Sequence, residues 1–130
     1  MSYLVRTDFT DDERWSALCA AIETGSEDDP IDEPFLDYVP DPGLQGADLH
    51  AVQGAFPDPG ETGVLYVADA VSCGESFGLV WAIDLLDEPG RSFLIPAAEV
   101  HNLDVNLLIA NMEFADWADA VDQDGVFRGW

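Results

Sequence analysis

Two carboxylates stand where the local pattern asks for an apolar residue. Asp69 follows Val64-Leu65-Tyr66-Val67-Ala68, and Asp84 follows Leu79-Val80-Trp81-Ala82-Ile83. Two acids are the minimum equipment for carboxylate-based hydrolysis. An acid in an apolar run sits on an exposed pleat, beside an arginine, or at a functional site. Arg6 and Arg91 are the expected partners, and a structural or surface role is preferred to a catalytic one. His50 and His101 are the only histidines, and neither lies in a recognisable catalytic context. Cys19 falls on the apolar stripe of a helix, so pairing it with a histidine would turn that stripe outward. The chain has no lysine, which excludes Schiff-base chemistry and a phosphate-cradling lysine. It also lacks G-x-S-x-G, P-loop, G-x-G-x-x-G and H-E-x-x-H patterns. Asp122-Gln123-Asp124-Gly125 resembles the middle of a calcium loop, but the position that should open the loop is Ala120. No cysteine–histidine set suits zinc. Neither a metal nor a cofactor is expected, and the chain reads as a non-enzyme.

What remains is surface charge. The 130 residues carry 27 acids against four bases, all arginine, for a formal charge of -23. Such a surface repels phosphate, so direct binding to nucleic acid or to an anionic membrane is not expected. Eight of the acids fall between Glu23 and Asp41. Glu27, Asp28, Asp29, Asp32 and Glu33 could hold a cation weakly, although a solvated acidic loop is the preferred reading. With Asp37 and Tyr38 they are the expected partner-binding residues. Tyr38, Trp81 and Trp130 are the candidate aromatic anchors, with Trp81 better suited to the core. The functional expectation is a non-enzymatic acidic binding protein, immunity- or inhibitor-like, that acts on a basic protein partner. The alternatives are a DNA mimic occupying a nucleic-acid-binding site and a small enzyme using the Asp69 and Asp84 carboxylates. A charge that serves only solubility remains open.

The elements that must position these residues are legible in part. With 48 % hydrophobic residues the chain can bury a core, and its length fits one domain, 1–130. Tyr3 to Thr7 reads as a strand. Thr10 and Glu13 have capping-box spacing, and Trp15, Leu18, Cys19 and Ile22 form one helical stripe that Gly25 ends. Residues 25–63 hold six of the eight prolines and are expected as a wrapped, partly ordered excursion within the domain. Phe35, Leu36, Tyr38 and Val39 would pin it, and residues 47–53 could form a short helix presenting Leu49 and Val52. Strands are expected at 64–71, 78–85 and 92–96, with a turn at 73–77 and a type II turn at Glu88-Pro89-Gly90-Arg91. Their nearly continuous apolar character suggests a sheet covered on both faces or a central hairpin. The stretch 100–112 leans to strand because Val105, Leu107 and Ile109 alternate, although Leu103, Leu107 and Ala110 also fit a helix. A last helix carries Phe114, Trp117, Ala118 and Val121, with Asn111 as its cap. The expected architecture is α+β: a mainly antiparallel sheet of four to five strands, an N-terminal and a C-terminal helix packed on it, and the long Pro/Gly-rich excursion over one edge.

Cys19 and Cys73 are read as thiols rather than a disulfide framework, and the N-terminus lacks signal-peptide features. Leu4-Val5-Arg6-Thr7-Asp8-Phe9, Val67-Ala68-Asp69-Ala70, residues 106–114, Ala118-Asp119-Ala120-Val121 and residues 124–129 are familiar stretches. On them the chain resembles a family of small actinobacterial proteins classed as a domain of unknown function, nearly end to end but weakly over about 25–60. The resemblance implies a single-domain bacterial cytoplasmic protein and supplies no catalytic residue. Asp69, Asn106, Asn111 and Arg128 are the polar positions within it. The asparagines read as a turn residue and a helix cap, and Arg128 as a brace against Asp119 or Asp124.

Overall fold

A computed structural model describes residues 2–26, 29–30, 35–73 and 78–128. Strand β1 (Ser2–Arg6) leads into helix α1 (Asp12–Thr24), followed by a two-residue ladder of β2 (Gly25–Ser26) and β3 (Asp29–Pro30). Next come β4 (Leu36–Val39), a 3₁₀ turn (Pro42–Leu44) and α2 (Leu49–Ala55). Then follow β5 (Val64–Ala68), the short α3 (Ala70–Cys73), β6 (Leu79–Asp84) and β7 (Ser92–Pro96). A second 3₁₀ turn (Ala97–Glu99) runs into α4 (Val100–Leu108), and α5 (Phe114–Ala118) is the last helix described.

The fold is α+β, with the five-stranded sheet ordered β4-β1-β5-β6-β7. It is antiparallel from β5 to β7 and parallel where β1 lies between β4 and β5. The chain moves from β1 to β4 and then reverses past β1 to reach β5. The connecting helices sit on opposite faces, α1 burying Leu18 and Ile22 on one and α2 burying Val52 on the other. Two crossovers of the same hand in opposite directions require that arrangement.

Both faces are therefore covered, one of the two arrangements that the apolar strands suggested. Period-2 alternation divides β5: Val64, Tyr66 and Ala68 face α1, α4 and α5, while Leu65 and Val67 face α2. The larger core adds Phe93, Leu103, Phe114 and Trp117, and the smaller one adds Val5, Ile83 and Leu85. The excursion contributes directly to the sheet. Leu36 is buried, Phe35 and Tyr38 pack on the larger core, and Val39 and Leu49 pack on the smaller.

Several boundaries differ from expectation for local physical reasons. Asp11, not Thr10, caps α1 by accepting from Arg14 N at 3.0 Å, since the helix starts one residue later, at Asp12; the Thr10 hydroxyl donates to Asp8. Strand β5 stops at Ala68 rather than reaching Val71, and Asp69 accepts from Ser72 N to start α3. The turn expected at 73–77 lies mostly outside the described residues. At 88–91, Arg91 N donates to Glu88 O at 2.9 Å and Gly90 has φ +97°, the left-handed conformation that a type II turn asks of glycine. Asn111 does not cap α5; its side chain donates to Asn106, and Asp116 accepts from Glu113 N where the helix starts.

The largest correction is α4. Residues 100–108 are helical, not a strand, and Val100, Leu103 and Asp104 face inward together. Ile109, which alternation would bury, is 64 % exposed. Leu103→Ala should therefore lower the unfolding free energy by about 3 kcal/mol in urea titrations. Ile109→Ala should change it by no more than about 0.5 kcal/mol. Equal losses at the two positions would contradict the helix.

Candidate functional site

Three acids are buried among the described residues: Asp8, Asp84 and Asp104. Burying a carboxylate is costly unless donors satisfy it. Asp8 accepts from the Thr10 amide and hydroxyl. Asp84 accepts from the amides of Leu86, Asp87 and Glu88, at 2.8 to 3.3 Å, which closes the turn after β6. Asp104 differs. Projecting from α4, it takes no backbone amide and accepts from two side-chain hydroxyls, Ser2 at 2.6 Å and Tyr66 at 3.1 Å, both at Oδ1. These donors lie 102 and 38 residues away in sequence, on β1 and β5. The Ser2 hydroxyl is also 2.8 Å from that of Thr62. Four polar side chains from four segments thus meet at one point.

That point lines a cavity of about 360 Å³. Ser2, Thr62 and Asp104 contribute its polar groups, Val64, Leu65, Leu85 and Leu108 its aliphatic walls, and Tyr3 and Phe35 its aromatic ones. The exposed acids Asp58 and Glu61 also line it. Sites that hold small ligands are typically apolar concavities with a few convergent polar groups. Burial raises the Asp104 carboxyl above its ordinary value. The hydrogen bonds from the Ser2 and Tyr66 hydroxyls, and then the electrostatic interactions with His101 and the amino terminus, oppose that shift without cancelling it. Tyr66 is raised as well, by burial and then by the Asp104 charge. The His101 ring lies edge-on to Phe35 at 4.7 Å, so the histidine is held beside the cavity.

In a sheet with this reversal, ligands commonly bind beyond the carboxyl ends of the strands at the switch point, here past β1 and β5. Internal partners occupy that end. Arg6, 5 % exposed, donates to Asp8 O and Asp12, and lies 4.3 Å from the Phe9 ring centroid and 5.2 Å from that of Trp15. Asp69 accepts from Trp81 Nε1 at 2.8 Å. The cavity of Asp104 lies at the opposite end, where β1 and β5 begin.

The residues singled out from the sequence do not converge in the same way. Glu27, Asp28, Asp32 and Glu33 lie outside the described residues, and Asp29 is in β3. Asp37 is exposed on the edge strand β4. Tyr38 is half-buried, donates to Glu23 at 2.6 Å and meets Trp15 edge-on, so it ties β4 to α1. Burial, and then the bond to Glu23, raise its phenol. Trp81 is half-buried in β6, and Trp130 lies outside the described residues.

Asp69 and Asp84 occupy opposite ends of the β5–β6 pair, since Asp84 is opposite Val64 and Asp69 lies beyond the Val67–Trp81 pair. Five residues of strand put them roughly 16 Å apart, beyond the separations used in paired-carboxylate hydrolysis. The expected Arg6 and Arg91 pairings are replaced. Arg6 binds Asp12, and Arg91 binds Glu88 and Asp119. Arg128 binds Asp122 and Asp124, so Asp119 is not its brace. His50 is exposed on α2. Among the described residues no group of acids, histidines and cysteines could hold a metal ion, and no helix is long and apolar enough to cross a membrane.

Sequence reading missed the Asp104 cluster because a mid-helical acid carries no local mark of burial. The one available signal was Leu103 at helical spacing with Leu107, which places position 104 beside the buried stripe. Protons bound to the folded state's Asp104 are lost as pH rises from near 3.8 through its raised folded value, and stability falls over that window. Asp104→Asn keeps an acceptor for both hydroxyls and lacks this titration. The stability of the variant relative to wild type should therefore rise with pH across the window, as measured by urea unfolding at a series of pH values. A pH-independent difference would show an unshifted carboxyl.

One family model, described as Domain of unknown function (DUF6924), matches residues 1–130. No curated protein and no solved structure matches the chain.

Proposed function

We propose that this chain, which belongs to the DUF6924 family, is a non-enzymatic binding protein whose negative surface covers a basic patch on a protein partner. The supporting observation is how its cations are used. Arg6 pairs with Asp12, Arg14 with Asp11, Arg91 with Glu88 and Asp119, and Arg128 with Asp122 and Asp124. Every arginine already faces a carboxylate of its own chain, so the net charge of -23 acts outward. Exposed acids such as Glu13, Asp37, Asp48, Glu61, Asp87 and Glu113 come from α1, β4, the approaches to α2 and β5, the β6–β7 turn and the approach to α5. That dispersal suits steering of a basic protein better than the phosphate-spaced rows of a DNA mimic. The same reading places the protein in the cytoplasm of an actinobacterium, as an immunity- or inhibitor-type binder.

Capture from a lysate of the source organism at low salt tests this. A basic protein should be retained at low salt and released near 1 M salt, where the Debye length is about 3 Å. The triple variant Glu13→Gln, Asp37→Asn and Asp87→Asn should retain less of it. Capture of nothing, or capture that persists at high salt, would contradict the reading.

A further inference from the structure

We infer that the cavity at Asp104 is a specific pocket for a guanidinium-bearing side chain, an arginine supplied by the partner. The inference rests on the reading of the chain as a binder of basic proteins and narrows it to one anchor. Asp104 is 5 % exposed, lines the cavity and, among the described residues, accepts from the neutral hydroxyls of Ser2 and Tyr66. Its charge is buried against no arginine, because the four arginines are all occupied elsewhere. A cation entering the cavity would compensate that charge in a place shielded from water, where the attraction is strongest.

The other groups favour arginine over a bare ammonium. A guanidinium presents a planar fork of five donors, and Asp104, Ser2 and Thr62 offer several acceptor oxygens within one cluster. Leu65, Leu85 and Leu108 can cover the methylene stem. The rings of Tyr3 and Phe35 can receive the cation's face. Asp58 and Glu61 put two further negative charges on the approach. The volume is at the lower end of ordinary ligand sites, roughly 300–1,000 Å³, and suits one side chain rather than a cofactor.

The test uses the full chain and two probes, N-acetyl-L-arginine methylamide and its neutral isostere N-acetyl-L-citrulline methylamide, followed by amide NMR. The arginine probe should shift Ser2, Thr62, Val64 and Leu65 saturably, and the citrulline probe should bind at least about tenfold more weakly. Asp104→Asn should reduce the arginine probe to the citrulline level. Leu108→Trp, at a rim position 48 % exposed, should block entry without touching the carboxylate, so the proposal stays testable if Asp104→Asn does not fold. Equal binding of the two probes, full binding by either folded variant, or shifts confined to other surfaces would overturn it. Probe binding without capture of any basic protein would leave the pocket standing and remove the wider reading. Capture of a basic protein that Asp104→Asn leaves intact, without probe binding, would do the reverse.

Discussion

The hydrogen bond from a backbone amide to an aspartate carboxylate is the interaction on which this fold depends. With four cations for 27 acids, ion pairs cannot organise the chain. Backbone amides do so instead. Asp11 starts α1, Asp48 starts α2, Asp69 starts α3, and Asp116 accepts at the entry of α5. Asp41, Asp58 and Asp124 hold turns in the same way, and Asp84 gathers three amides into one. Amides at helix starts and in turns lack partners within their own element, so a short acceptor side chain meets a real need there. The acids are thus part of the architecture before they are part of any surface.

That use of acids explains what could be read from the chain alone. The strands at 64–68, 79–84 and 92–96 were legible because apolar, β-branched runs bounded by turn residues have few alternatives. Helix α1 was legible from its stripe, although its cap was displaced by one residue, because Asp11 and Thr10 both offer an acceptor oxygen and the helix starts at Asp12. Asp69 and Asp84 stood out because they broke apolar runs, and a structural or surface role was preferred for them; both are fasteners, one closing a strand and the other a turn, although neither pairs with the expected arginine. Helix α4 was misread because nine residues hold too few turns for its period to outweigh a local alternation. The α+β class, the covered sheet and the contribution of the excursion to the core followed from patterns within single segments. The parallel placement of β1 did not, since partner choice in a sheet depends on contacts far apart in sequence.

Asp104 is the case that segment-by-segment reading could not reach. Its burial depends on a helix that looked like a strand and on hydroxyls from two strands of a sheet it does not belong to. Among the described residues it is also the buried acid whose donors are side-chain hydroxyls and not backbone amides. The outward field and this inward carboxylate belong to one account: the surface draws a basic partner in, and the pocket holds one of its side chains. The seven partner-binding residues expected from the sequence contributed little to that account. Four lie outside the described residues, and Tyr38 holds β4 to α1.

The central claim is that the Asp104 carboxylate is held in reserve for a cation. The most direct measurement is its own titration, followed by carboxyl ¹³C NMR with and without saturating N-acetyl-L-arginine methylamide. A bound guanidinium favours the ionised form, so the midpoint should fall from its raised value toward or below that of an ordinary carboxylate. A midpoint that the arginine probe leaves unmoved would contradict the account.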